Sequence, residues 1–173
     1  HNSEHIITNF LDSVDRRFNL CVIDNASQDN TKLILKKAKH KNLKLIFNKK
    51  GLGFGSAANI GIRKSETKYI LLINPDTKIN FDSILKLYKA SMKYENAAIL
   101  SPMHKNSDGK VHLPIKPFFY NGKKDSLNIK NFKGDCSVEH LSGAIMLLNK
   151  EKVNKIGLFD ENFFLYYEDD DLC

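Results

Sequence analysis

The chain holds 173 residues, with 27 Lys and Arg against 20 Asp and Glu, so its formal charge is +7. That length carries one self-supporting core, and Cys21, Cys136 and Cys173, widely spaced with no CxxC, speak against a disulfide framework or a zinc site. No apolar run approaches the roughly 18 residues of a membrane-spanning helix, and the basic surplus points to an anionic partner: nucleotide, phospholipid surface or nucleic acid.

Asn2 or Ser3 is placed to cap a first helix whose apolar side, Ile6, Ile7, Phe10, Leu11 and Val14, repeats at the helical period. Leu20 to Ile23 is a short apolar run ending in Asp24, a strand followed by a loop. Asp29 or Asn30 caps a second helix to about Lys39, with Leu33, Ile34 and Ala38 facing inward. Leu43, Leu45 and Phe47 alternate as a strand does, and the turn Gly51-Leu52-Gly53-Phe54-Gly55 leads into a helix from Ser56 to about Ser65. Tyr69 to Ile73 is a continuous apolar run of strand length, as in a parallel sheet covered on both faces. A helix from Asp82 to Tyr94 carries Ile84, Leu85, Leu87 and Tyr88, and Ala97 to Leu100 reads as another strand. Between Pro102 and Lys133 the pattern breaks into Pro, Gly, Asn and Lys, an excursion with a hairpin turn at Asn106-Ser107-Asp108-Gly109. Order returns at Leu141 to Leu148, then a short helix at Lys150 to Ile156. This alternation predicts an α/β fold with a mostly parallel sheet, its ligands gathered at the carboxyl ends of the strands.

Three acidic sites fall at such ends: Asp24, Asp76 after Asn74-Pro75, and the run Glu168-Asp169-Asp170-Asp171 behind an aromatic stretch. Adjacent carboxylates repel, so a metal, a helix N-terminus or a cationic partner is expected near them. Pro75 stiffens the turn that aims Asp76, and one carboxylate with substrate phosphates suits a hard divalent cation. The glycine turn before a helix N-terminus offers a seat for phosphate. The same stretch, Gly53-Phe54-Gly55-Ser56-Ala57-Ala58, also fits the G-x-G-x-x-A of a dinucleotide-binding oxidoreductase module, with Asp76 roughly twenty residues on. That reading leaves Asp24 and the terminal acids without a role. His104, His112 and His140 lack ligand spacing, and lysine clusters such as Lys36, Lys37, Lys39 and Lys41 lack the interleaved aromatics of a base-stacking surface.

In chain order, Val22-Ile23-Asp24-Asn25-Ala26-Ser27-Gln28-Asp29, Gly51-Leu52-Gly53-Phe54-Gly55 with Asn59-Ile60-Gly61, and Leu71-Leu72-Ile73-Asn74-Pro75-Asp76-Thr77 are followed by Ser142-Gly143-Ala144. Gly157-Leu158-Phe159-Asp160 then leads to Glu168-Asp169-Asp170-Asp171-Leu172-Cys173. This ordered set resembles the family 2 glycosyltransferases of GT-A fold, nearest the bacterial rhamnosyltransferase-like enzymes of surface-polysaccharide assembly. The resemblance spans nearly the whole chain except 104–135.

It implies an inverting, metal-dependent transfer of a hexosyl or deoxyhexosyl unit from a nucleoside-diphosphate sugar to a hydroxyl of a glycan or lipid-linked acceptor. The implied cofactor is Mg²⁺ or Mn²⁺, and nucleic acid is not an implied partner. Asp24 would contact the base or ribose with Ser27 nearby, and Gly53 and Asn59 would lie on the nucleotide side. Asp76 would hold the metal; Asp169 would be the catalytic base with Glu168 beside it, the aromatic residues 163–167 walling off water. Asn74 stands where many members carry a first aspartate, and Gly51 where asparagine is common. A catalytically idle GT-A binding domain is the reading that keeps the fold without the chemistry. Family members begin with a central strand and continue into acceptor-side helices. Residues 1–173 are therefore expected to form a single GT-A catalytic domain lacking that first strand and the C-terminal acceptor-side region. The implied location is cytoplasmic, peripheral on the anionic inner face of the membrane.

Overall fold

The computed structural model describes residues 1–106, 108–112, 119–120, 123–124, 134–138 and 140–173. Most of the excursion expected between Pro102 and Lys133 lies outside them. The first half runs α1 (Ile7–Ser13), β1 (Leu20–Asp24), α2 (Thr31–Lys37), β2 (Leu43–Phe47), α3 (Phe54–Lys64), β3 (Tyr69–Ile73), α4 (Phe81–Lys93) and β4 (Ile99–Leu100). Two short hairpins follow, β5 (His104–Lys105) with β6 (Val111–His112) and β7 (Phe119–Tyr120) with β8 (Lys123–Lys124). Then come β9 (Ile145–Asn149), α5 (Lys150–Ile156) and α6 (Glu168–Leu172).

β1 and β2 pair in parallel, from Leu20 beside Leu43 to Asp24 beside Phe47. β9 lies between β3 and β4 and runs antiparallel to both, so β3 and β4 point the same way. All five residues of β9 are buried, which explains an apolar run without alternation: this strand has covered faces on both sides. The strands and their flanking helices make the α/β architecture expected; Ser107 of the expected hairpin turn lies outside the described residues, and between β5 and β6 the Gly109 N–H donates to Asn106 O.

Helix boundaries shift from the expected ones where side chains have other work. Neither Asn2 nor Ser3 caps α1. The Asn2 N–H donates to Ser27 Oγ and the Ser3 N–H to Thr31 Oγ1, while the Ser3 carbonyl accepts from Ile6 and Ile7. In α2, Leu33 is 57% exposed and Leu35 only 1%, so the inward face is one position round from the expected one. α3 begins two residues early, at Phe54.

Apolar residues gather into two clusters. Ile62, Met146, Leu148, Val153 and Phe159 form one beneath β9; Ile7, Phe10 and Leu35 form the other beside β1. Among the described residues β1 pairs with β2 alone and β3 with β9 alone. Both strands line a slot of about 1470 Å³, together with Ile7 and Phe10 of α1, Ala58 and Ile62 of α3 and Leu85 and Tyr88 of α4. That exceeds the roughly 300–1,000 Å³ of an ordinary ligand pocket. It also accounts for the exposure of Leu85 and Tyr88, two apolar positions of α4.

Candidate active site

Asp24 ends β1 and is 2% exposed. Its Oδ2 accepts from the Ser27 N–H at 3.1 Å, a turn made possible by Ala26 at φ 59°, and Lys32 Nζ stands 3.9 Å away. Oδ1 is buried and meets no hydrogen-bond donor among the described residues. An unpaired buried carboxylate oxygen is costly, so this atom is primed to accept from a ligand donor. Ser27 is buried beside it, its Oγ accepting from the Asn2 N–H at 2.8 Å.

Asn25, which the sequence did not single out, joins this end to the glycine turn. Its Oδ1 accepts from the Leu52 N–H and from Asn48 Nδ2, and its Nδ2 donates to Gly53 O, each at 3.0 Å. Gly53 sits at φ 84°, and a Cβ there would lie 2.1 Å from the Phe164 carbonyl oxygen. The Phe54 N–H donates to that same oxygen at 3.2 Å. The turn therefore admits close approach, as glycine allows, but the segment that approaches is residue 164 of the chain itself.

Asp76 follows β3 and is exposed, its Oδ1 accepting from Thr77 Oγ1 at 3.3 Å. One residue pair carries its turn toward the terminal acids. The Asn74 N–H donates to Ala144 O at 3.0 Å, and the neighbouring Gly143 N–H donates to Asp169 Oδ2, also at 3.0 Å. Glu168, 5% exposed, lies against α3 near Gly55 with Oε2 buried and unmatched among the described residues. Asp170 Oδ1 is 3.9 Å from His140 Nδ1.

Tyr166 and Tyr167 are both left-handed, at φ 70° and 68°, and this turns the aromatic run outward before α6. Phe164, Leu165, Tyr166 and Tyr167 are exposed, Tyr166 by 71%, so they do not wall water from the carboxylates as expected. The packing on the acids comes instead from Phe54 and Phe159, edge to face at 5.7 Å, with Phe54 also against Gly143. Asn59 is wholly buried, with Nδ2 donating to Phe159 O at 2.8 Å and to Glu161 Oε1 at 3.0 Å, and Oδ1 accepting from the Phe159 N–H at 3.1 Å. Those bonds commit both of its amide donors to the 159–161 loop. Glu161 is held below the ordinary carboxyl range, first by the Asn59 hydrogen bond and then by Arg63.

Among the described residues no three His, Cys, Asp or Glu side chains converge as a cation cage. One exposed carboxylate at a strand end, Asp76, fits Mg²⁺ or Mn²⁺ shared with substrate phosphates, since Mg²⁺ commonly takes one or two carboxylates and keeps its remaining positions for phosphate and water.

The model of glycosyl transferase family 2 matches residues 1–157. The chain belongs to glycosyl transferase family 2. A low-salt glycan biosynthesis hexosyltransferase, Agl10 of Haloferax volcanii, is 27% identical over 100% of this chain and 58% of that protein. A dTDP-rhamnosyl transferase, RfbF of Shigella flexneri, is 30% identical over 88% of this chain and 51% of that protein. The chain thus spans little more than half the length of these relatives. Among solved structures, S. aureus TarS 1–349 in complex with UDP-GlcNAc superposes with a TM-score of 0.70 at 22% identity, over 99% of this chain and 49% of that one. The fold is GT-A. The family match stops at 157, ahead of α6, whereas the similarity to Agl10 covers the whole chain.

No described helix is long and apolar enough to cross a membrane.

Proposed function

We propose that this family 2 chain is the donor-side catalytic core of an inverting glycosyltransferase that moves a sugar from a nucleoside-diphosphate donor to an acceptor hydroxyl in surface-glycan assembly. The observation that carries the reading is the tie of Asp169 to Gly143, next to Ala144 on the Asn74 turn. Two hydrogen bonds join the terminal acids to the segment that presents Asp76. The hexosyl and rhamnosyl transfers named for the similar proteins support a nucleotide-sugar donor, and the glycan biosynthesis named for Agl10 supports a glycan acceptor.

In this reading Asp24 and Ser27 hold the nucleotide, the Gly53 turn being closed by the Phe164 backbone, and Asp76 faces the diphosphate. Asp169 takes the proton from the acceptor hydroxyl as its oxygen forms a bond to the anomeric carbon. The bond from that carbon to the diphosphate breaks on the opposite face, its electron pair leaving with the diphosphate, through an oxocarbenium-like state. A bound Mg²⁺ or Mn²⁺ supplies charge neutralisation for the departing diphosphate. Glu168, more buried, is the alternative base.

The dinucleotide-module reading needs the Gly53 turn open to a pyrophosphate, and the Phe164 backbone occupies that approach. A panel of nucleotide sugars, including dTDP-rhamnose and UDP-GlcNAc, incubated with and without chelator, tests the proposal. Diphosphate release dependent on acceptor supports transfer; donor binding without turnover supports an idle GT-A domain; hydride transfer with a nicotinamide overturns both. The +7 charge favours an anionic membrane or lipid-diphosphate acceptor, with the protein on the cytoplasmic membrane face. Liposome flotation against a nucleic-acid filter assay separates those partners.

We further propose that a strand from ahead of His1 in the polypeptide occupies the slot between β1 and β3, pairing both open edges and covering Leu85 and Tyr88.

A further inference from the structure

We infer that Asn59 is a positioning residue for the carboxylates of α6, acting through the 159–168 segment and not through the nucleotide. The inference rests on reading Glu168 and Asp169 as the acidic side of the active site. Its basis is a stripe along α3. Gly55, Asn59 and Arg63 are spaced i, i+4, i+8, which places them on one face of the helix. All three grip the same distant segment. A Cβ on Gly55 would lie 2.9 Å from Phe159 Cβ and 3.5 Å from Glu168 Cβ. Asn59 exchanges two hydrogen bonds with the backbone of Phe159, 100 residues away, and Arg63 Nη1 donates to Glu161 Oε1 at 2.9 Å.

The exchange with Phe159 satisfies both main-chain groups of one buried residue. Asn is the side chain that does this at that reach: Asp lacks the donor, Ala lacks both groups, and Gln is one methylene too long. The second donor bond, to Glu161, is charge-assisted, consistent with a carboxyl kept below its usual range. A third anchor follows at Phe164, whose carbonyl accepts from the Phe54 N–H at the start of the same helix. The segment is thus pinned at 159, 161 and 164, and α6 starts at Glu168. The placement of Glu168 and Asp169 is therefore set by α3, and a shift of Phe159 travels directly into Glu168 because both touch the same point above Gly55.

The test uses the full-length protein with two variants. Asn59→Asp keeps size and the acceptor for the Phe159 N–H but loses both donors and sets a carboxylate against Glu161. Gly55→Ala keeps the helix and displaces Phe159 or Glu168. Turnover of dTDP-rhamnose and UDP-GlcNAc, calorimetric affinity for dTDP and UDP, melting temperature and the kcat–pH profile are measured for both. Misplacing a catalytic group by about 1 Å costs on the order of 10²-fold. The expected result is a kcat loss approaching that size, diphosphate Kd within about two-fold of the parent, and an acid limb of the kcat–pH profile displaced from the parent's. A parallel loss of dTDP and UDP affinity would make Asn59 a nucleotide ligand and overturn the inference. So would parent-like kcat in both variants while Asp169→Asn is inactive. If Asp169→Asn itself keeps full turnover, the reading of α6 fails first and the inference goes with it. Should Asn59→Asp not fold, Gly55→Ala alone decides between these results.

Discussion

The Ser27 N–H donates to one oxygen of Asp24, and the other oxygen of that buried carboxylate has no donor among the described residues. The pair divides the carboxylate between a structural and a binding half. Oδ2 closes the turn after β1, and Oδ1 is the atom that the proposed reading gives to a base imide or a ribose hydroxyl.

Asp24→Asn should then weaken nucleoside-diphosphate binding while the fold survives. The amide oxygen can still accept from Ser27, but an NH₂ replaces the acceptor that faces the ligand. Losing a charge-assisted bond costs about 1.5–3 kcal/mol, or roughly 10- to 150-fold in Kd. Titration calorimetry with UDP and dTDP checks this, with thermal melting as the control. Unchanged affinity for both would move the base pocket elsewhere.

Divalent metal should be required, and Asp76 should carry the requirement. With Asn74 in place of a second carboxylate, the site relies on phosphate oxygens to complete its donor set, so metal and diphosphate should bind as a pair. Titration of Mn²⁺ should show tighter binding in the presence of UDP or dTDP than without, and Asp76→Asn should abolish that gain. Full activity in excess EDTA would remove the metal from the reading.

The slot makes a prediction about stability. Two strands, each with an open edge among the described residues, line one slot with apolar walls, an arrangement that favours pairing with an inserted strand. A form of the protein extended ahead of His1 should melt well above residues 1–173 alone. Each kcal/mol gained is worth about 2–4 °C at this size, and a paired, apolar strand should raise the midpoint by more than about 10 °C. Hydrogen exchange gives the sharper check, since amides of β1 and β3 on the slot side should become protected. If they exchange as fast as before, the strand lies elsewhere.

How far the sequence was legible follows from what each signal depends on. Helical and strand periods depend on local burial, so β1, β2, β3 and α4 were placed within a residue or two. Asp24, Asp76, Glu168 and Asp169 stood out because each follows an apolar or aromatic run, and the structure buries Asp24 and Glu168 but leaves Asp76 exposed. Leu33 misled because one position of rotation moves a face, and a helix of seven residues gives the period little length to decide it. The antiparallel sense of β9 was hidden, since a strand covered on both faces reads the same in either direction. The bonds of Asn59 to the 159–161 loop and the role of Asn25 were hidden for a different reason. Their partners lie 100 and 28 residues away, and no local pattern distinguishes an amide that binds backbone from one that binds a ligand.

Asp169 is the residue whose replacement should cost most in rate. Its Oδ2 accepts from the Gly143 N–H at 3.0 Å, which orients the carboxylate proposed to receive the proton. That bond is backbone-borne, so Asp169→Asn preserves it through the amide oxygen while removing the basic atom. General-base catalysis contributes about 10² to 10⁴ in rate, and kcat should fall by at least roughly 10²-fold, with diphosphate affinity and melting temperature close to the parent's. Glu168→Gln separates the two carboxylates. Glu168 is buried against Gly55, so its loss should act mainly through packing and lower melting temperature and kcat together. A parent-like kcat in Asp169→Asn with a collapsed kcat and normal melting in Glu168→Gln would transfer the role of base to Glu168. Parent-like turnover in both would mean that α6 takes no part in the chemistry.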